Sequence, residues 1–240
     1  MREVKNYKHV CLLMLLFGFV FTNKIIAQTS DSKNLNAWTT IEIEYKLNKK
    51  WSFSLAEQLR LKENLSLVDK YFTELQAEYS FNKNFSLAGG ARFSRQNDTE
   101  GNIQGYENHF RFQFDAKYKH KINNFKLDYR LRYQNKDDMS VSIEDGDYAN
   151  QHIRFKTDVE YNIKNWKLDP QFSAEIFNHF EKGEENGFNK YRLTFGTDYD
   201  MKDYGKINVF YRFEKELNVD LPETTKIIGL SYKYTIKNKK

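Results

Sequence analysis

Cysteine, proline, long apolar runs and any strong excess of one charge are all scarce in this chain of 240 residues. Its single cysteine, Cys11, excludes a disulfide framework and a cysteine-rich metal site. Mean hydropathy is −0.80, and beyond the N-terminus no apolar run is long enough for a membrane helix. Formal net charge is +5. Arg2, Lys5, Lys8 and Lys24 against Glu3 supply three of those charges, so the rest of the chain sits near +2. That balance gives no electrostatic case for nucleic acid. Gly-x-Ser-x-Gly, His-Glu-x-x-His and phosphate-loop motifs are missing as well.

What is present begins with a targeting segment. "MREVKNYKH" is a basic leader, "VCLLMLLFGFVF" an apolar run too short to span stably, and "NKIIAQ" places the small residue Ala27 before a cut. We expect residues 1–27 to be a cleavable signal peptide and 28–240 to be the exported domain. A retained anchoring helix would also imply export.

The second feature is alternation. In "NFKLDYRLRYQNKDD", Phe125, Leu127, Tyr129, Leu131 and Tyr133 share one face, while Lys126, Asp128, Arg130, Arg132 and Gln134 share the other. That is a strand with one apolar and one ionic side. "HFRFQFDAKYKH" repeats the pattern, with Phe110, Phe112 and Phe114 opposed to Arg111, Gln113 and Asp115.

The third is a repeat. "YKLNKKWSFSL", "YSFNKNFSLAG", "YKHKINNFKLDYR", "YNIKNWKLDP" and "YDMKDYGKINVFYR" share a plan: a tyrosine closes one strand, a short polar turn follows, and an apolar residue opens the next. The openers Trp51, Phe85, Phe125, Trp166 and Ile207 recur every 34 to 41 residues. Each unit reads as a β-hairpin. The connections between units, "ENLSLVD", "QNDTEGNIQG", "KDDMSVSIEDGD", "EKGEENG" and "NVDLPE", read as longer, polar, mostly acidic loops. Short turns alternating with long loops match an outer-membrane barrel with periplasmic turns and extracellular loops.

Eleven segments read as strands, near 37–47, 51–62, 70–81, 85–95, 106–120, 125–135, 148–162, 166–180, 188–201, 206–217 and 225–236. Most reach the length of a membrane-crossing strand, about nine to eleven residues. Bacterial single-chain barrels have even strand numbers, so we expect twelve, with ten as the next choice. The fold class is all-β: a single antiparallel transmembrane β-barrel.

The alternation alone does not say which face is inside, because a secreted soluble barrel of lipocalin type would bury the apolar one. Aromatics gathered at strand ends, as in interfacial girdles, and the export signal both favour lipid outside and charge in the lumen. On that reading Phe110, Phe112, Phe114, Leu127, Tyr129 and Leu131 face lipid. The inward charges are Arg60, Arg92, Arg111, Arg130, Arg132, Arg154, Arg192 and Arg212 against Glu74, Glu78, Asp115, Asp128, Asp158, Glu160, Asp198 and Glu214. Their mixed signs suggest cross-strand pairing in a narrow or plugged lumen, not a one-signed selectivity filter.

The last strand, "GLSYKYTI", spaces Gly229, Tyr232 and Tyr234 as Gly-x-x-aromatic-x-aromatic. This resembles the C-terminal signal read by the outer-membrane assembly machinery. It departs in Ile227, where a polar residue is usual, and in running on to "KNKK". The early Trp38, the "NKKWSFSLAEQLRL" hairpin with Glu57 and Arg60, and the repeated tyrosine–turn–aromatic units resemble the domain-of-unknown-function 2490 family of Bacteroidetes-type outer-membrane barrels. That resemblance implies a barrel and supplies no activity.

For chemistry, His109, His152 and His179 lie near long loops, with Glu107, Asp147 and Glu181 close in sequence. They are the candidates for a rim hydrolase acting on lipid or envelope polymer, which would need a base touching a nucleophile. The acidic loops could attract divalent cations but match no EF-hand spacing. The expected protein is an outer-membrane barrel without an identifiable catalytic motif, structural or transporting. Its partners are outer-membrane lipid and the assembly machinery, with no cofactor and no nucleic acid.

Overall fold

A computed structural model describes residues 35–99, 104–139, 149–183 and 186–238; the proposed signal peptide and Asp147 lie outside them. Among the described residues eleven strands close into one barrel. They are β1 (Leu35–Lys46), β2 (Trp51–Lys62), β3 (Leu67–Ser80), β4 (Phe85–Asp98), β5 (Gly105–Ile122), β6 (Phe125–Asp138), β7 (Asn150–Tyr161), β8 (Leu168–Phe180), β9 (Gly187–Asp200), β10 (Lys206–Glu216) and β11 (Thr224–Lys237). Each segment read from the sequence corresponds to one of them.

The expected count of twelve is wrong, and so is an all-antiparallel ladder. Consecutive strands are antiparallel, but β1 and β11 close the barrel in parallel, from Leu35 opposite Lys226 to Lys46 opposite Lys237. An odd number of up-and-down strands always leaves the first and last pointing the same way. Parallel hydrogen bonding tolerates that closure, so no twelfth strand is required. The start of β1 therefore lies at the same end of the barrel as the start of β11.

The repeated turns have a common cause. In the β1–β2 turn, the Asn48 side-chain oxygen accepts from the backbone N–H groups of Lys50 (2.8 Å) and Trp51 (2.9 Å). In the β3–β4 turn, Asn82 accepts from Asn84 and Phe85, both at 2.8 Å. Asn123 and Asn165 adopt left-handed φ values of 53° and 64° in the next two turns. Asparagine serves both needs: its side chain mimics a turn carbonyl, and it tolerates positive φ.

At the other end, the expected long loop "ENLSLVD" is shorter than read. β3 starts at Leu67, so four residues connect it to β2. Glu63, Asn64 and Leu65 close this link with φ values of 52°, 56° and 67°. A register shift opposite Arg60 and Leu61 leaves Asp69 unpaired in the ladder. The bulge absorbs what would have been loop. The β6–β7 connection, between Asp138 and Asn150, is the longest.

Burial inverts the soluble pattern. Ile41, Ile43, Leu55, Leu75, Phe110, Phe114, Leu131, Phe155 and Leu230 are exposed on the outer face. Arg111, Gln113, Asp115, Arg132, Arg154 and Glu175 are buried on the inner face, with Gln113 and Asp115 only 1% and 2% exposed. A chain of ring contacts follows the short-turn end outside: Trp51 with Tyr79 (4.9 Å between centroids), Tyr79 with Phe81 (4.9 Å) and Phe125 with Tyr161 (4.8 Å). A carboxylate interrupts the apolar exterior away from the strand ends. Glu57 is exposed in mid-strand and accepts a hydrogen bond from the Thr73 hydroxyl at 2.7 Å.

Candidate functional site

The lumen is built by strand alternation alone, because each strand turns every second residue inward. From β1 to β10 every strand contributes an arginine or an aromatic ring: Trp38, Arg60, Phe72, Arg92, Arg111, Arg130 with Arg132, Arg154, Phe177, Arg192, and Arg212 with Phe210. Arginine heads lie over these rings. Arg60 is 3.6 Å from the Trp38 centroid, Arg92 3.5 Å from Phe72, Arg154 4.3 Å from Phe177 and Arg212 4.7 Å from Phe210. Guanidinium planes are weakly hydrated and stack well, so a ring can support them where water is scarce.

Buried carboxylates hold the remaining charge. Asp115 receives a two-pronged contact from Arg132, at 2.6 and 2.7 Å. Glu74 accepts from Arg92 (2.7 Å) and Arg111 (2.8 Å), and from Gln113 at 3.2 Å. Glu175 gathers Arg130 at 2.6 Å, Arg154 at 2.7 Å and Arg192 at 3.5 Å. Glu214 pairs with Arg192 and with Lys190. Several of these bonds skip a strand, since side chains lean along the wall. A buried charge is tolerable when it is paired and hydrogen-bonded in this way.

Sequence reasoning misses Glu175, although it is the acid with the most arginines. Its signal is legible: Gln171, Ser173 and Glu175 alternate with Phe172, Ala174 and Ile176 in "QFSAEIF". The inward rings escape for a different reason. Trp38, Phe72, Phe177 and Phe210 have the composition of the outer face, and only their parity with charged neighbours places them inside.

The acids also segregate along the barrel axis. Glu78, Asp128, Asp158, Glu160 and Asp198 occupy the half nearer the short turns. There Glu78 meets Lys117 at 2.6 Å, Glu160 meets Lys126 at 3.0 Å, and Asp198 meets Lys206 and Gln171. Asp128 and Asp158 face each other in register, and Lys156 contacts Asp158 at 2.6 Å.

A cavity of about 690 Å³ occupies the lumen. Its lining includes eight arginines and four lysines but only two carboxylates, Asp158 and Glu175. The sixteen inward charges read from the sequence balance in sign, yet this surface does not. Glu74, Asp115 and Glu214 lie outside the lining and present their arginines to the space.

The three candidate histidines divide. His152 and His179 are register partners with rings 4.8 Å apart. Asn150 and Glu181 each lie 3.1 Å from His179, and Asn189 lies 3.4 Å from His152. His109 stands apart on β5, beside Glu107 at 3.7 Å. Ligand atoms of Glu107, His109 and Asp138 fall within 4.8 Å of one another, so these three could hold a metal ion. Ser94, opposite His109, bonds to its backbone carbonyl at 3.5 Å. Among the described residues no serine or threonine hydroxyl bonds to any of the three imidazoles, the contact by which a base would activate a nucleophile.

In the last strand Gly229 turns inward and Tyr232 and Tyr234 turn outward. Ile227, the departure from the assembly motif, is 1% exposed and faces Arg212 across the ladder. Inward does not mean polar at that position.

The family model described as a protein of unknown function, DUF2490, matches residues 35–219. The chain belongs to the DUF2490 family. The match runs from β1 through β10 and so includes the whole arginine-and-ring belt. A comparison with curated proteins finds none that matches.

Proposed function

We propose that this DUF2490 protein is an outer-membrane β-barrel whose lumen is too crowded with charged side chains to be a wide pore. The observation that carries the reading is the inversion of burial: Ile41 is 56% and Phe114 61% exposed, while Asp115 is 2% exposed. In water such an exterior would be an aggregation surface; in a bilayer it meets its own kind. Strands of 11 to 18 residues exceed the crossing length of about nine to eleven, and the aromatic row at the short-turn end resembles an interfacial girdle. The apolar leader supports export. The short turns would then be periplasmic.

Wide aqueous porins need about sixteen strands, and eleven enclose much less space. The arginines are long and meet neighbours two strands away. The barrel therefore serves as a structural element or a restricted path, with openings that are brief and, given the lining, carry anions. Folding the purified chain into lipid vesicles and then recording planar-bilayer current tests both halves. The expected result is a band that shifts on boiling, with little steady conductance. Recovery as a soluble monomer would reject the membrane reading, and a large, stable, ohmic current would replace it with an open porin.

A further inference from the structure

Two arginines in the belt differ from the rest. Arg60 gives its Nε–H to Gln58 at 2.6 Å, and Gln58 is itself held by donating to the Thr40 hydroxyl at 2.6 Å. Arg212 gives its Nε–H to the Thr194 hydroxyl at 2.9 Å. Among the described residues neither has a carboxylate within ion-pair distance, and neither terminal Nη group has a protein acceptor. Both flank the same ring, at 3.6 and 4.8 Å from the Trp38 centroid. Arg192 approaches it at 5.4 Å. Lys70, the register partner of Arg60, bonds to neutral Gln96 at 2.7 Å, with Asp69 at 3.9 Å.

Elsewhere the lumen provides carboxylates generously: Glu175 alone serves three arginines. Around Trp38 it fixes the Arg60 and Arg212 guanidiniums with neutral oxygens, and among the described residues it brings no carboxylate into direct contact with either. An uncompensated cation away from bulk water is costly. A planar fork with free terminal donors matches the geometry of phosphate or carboxylate oxygens. The cavity volume falls within the range of small-molecule sites, about 300–1,000 Å³.

We propose that the Trp38 region of the lumen is a binding site for a small, soluble, multivalent oxyanion, recognised by the terminal Nη groups of Arg60 and Arg212 beside that ring. The site belongs to the chain's own interior chemistry and does not depend on where the barrel resides. Its occupant carries at least two negative charges, because two guanidiniums converge on one ring and a single charge would leave one unmatched.

Trp38 also supplies the reporter. The chain has three tryptophans, and Trp51 and Trp166 are exposed outside. In detergent micelles, a Trp51→Phe/Trp166→Phe protein reports the site alone. Sodium pyrophosphate, titrated at constant ionic strength, should shift Trp38 emission saturably. Sodium chloride at matched ionic strength should not. Adding Arg60→Gln and Arg212→Gln, with folding checked by the boiling-dependent gel shift, should weaken pyrophosphate binding at least tenfold. Should that variant fail to fold, displacement of pyrophosphate by citrate in the parent reporter tests the site in its place, because a second multivalent oxyanion must compete. A chloride response equal to that of pyrophosphate, a response unchanged by the arginine substitutions, or no displacement by citrate would overturn the site. A response only to phosphatidylglycerol micelles would also overturn it, by assigning the chemistry to a lipid headgroup.

Discussion

Phe210 lies across Gly229 on the inner wall. A Cβ atom built on Gly229 would fall 2.0 Å from the Phe210 Cζ atom. The two residues are register partners on β10 and β11, and Trp38 is the partner of Gly229 on the other side. The ring fills the space a side chain would take, next to the barrel's parallel seam. Gly229→Ala must push the ring off this seat, and overpacking of this kind costs about 1–3 kcal/mol. Urea unfolding from lipid vesicles should show that loss. Phe210→Ala should relieve much of it, making the double variant's effect smaller than the sum. If the two effects simply add, Gly229 acts through something other than this contact, such as the assembly signal it resembles.

Glu175 concentrates three arginines on one carboxylate. Glu175→Gln keeps the shape and removes the charge, leaving Arg130 and Arg154 in a buried setting without it. Breaking buried pairs from one side costs about 3–5 kcal/mol. The same unfolding assay should show a loss of that order, whereas Lys126→Gln, which breaks the more exposed pair with Glu160, should cost less than about 1 kcal/mol. Equal effects would mean that the central ion cluster is not what fixes the lumen.

The outer face makes the opposite demand. Leu131→Arg or Phe112→Arg places a cation where the bilayer core should be and should cost roughly 2–4 kcal/mol of folding into vesicles. Indifference to Leu131→Arg would invert the assignment of faces.

Glu57 is the exception that the same logic must accommodate. Its carboxylate sits on the apolar exterior with Thr73 as its partner. Glu57→Gln retains an acceptor for that hydroxyl and discards the charge. In vesicles near neutral pH we expect a gain on the order of 1 kcal/mol. A loss would point to a specific cationic contact at this spot.

The strands are legible because the alternation of apolar and charged residues is strict here: "NFKLDYRLRYQNKDD" and "HFRFQFDAKYKH" leave no choice of period. Turns are legible through Asn48 and Asn82, whose side chains do the same job twice. The strand number is not, because its parity follows from a general rule, while the parallel pairing of β1 with β11 leaves no local mark in either strand. The link at Glu63–Ser66 reads too long because a three-residue run of left-handed φ is not encoded by glycine. Inside the lumen, sequence shows charge but not depth. Nothing in composition separates Asp115, sealed behind Arg132, from Asp158, which faces the cavity.

The central claim is that lipid meets the apolar face and the charged face lines the interior. Adjacent residues of β1 test it most directly, because Thr40 lines the cavity and Ile41 is exposed outside. In a Cys11→Ser background, Thr40→Cys and Ile41→Cys would each carry a small environment-sensitive fluorophore in vesicles containing spin-labelled lipid. The account requires strong quenching by the lipid label at position 41 and little at position 40. Quenching at 40 with none at 41, or at neither, would contradict it.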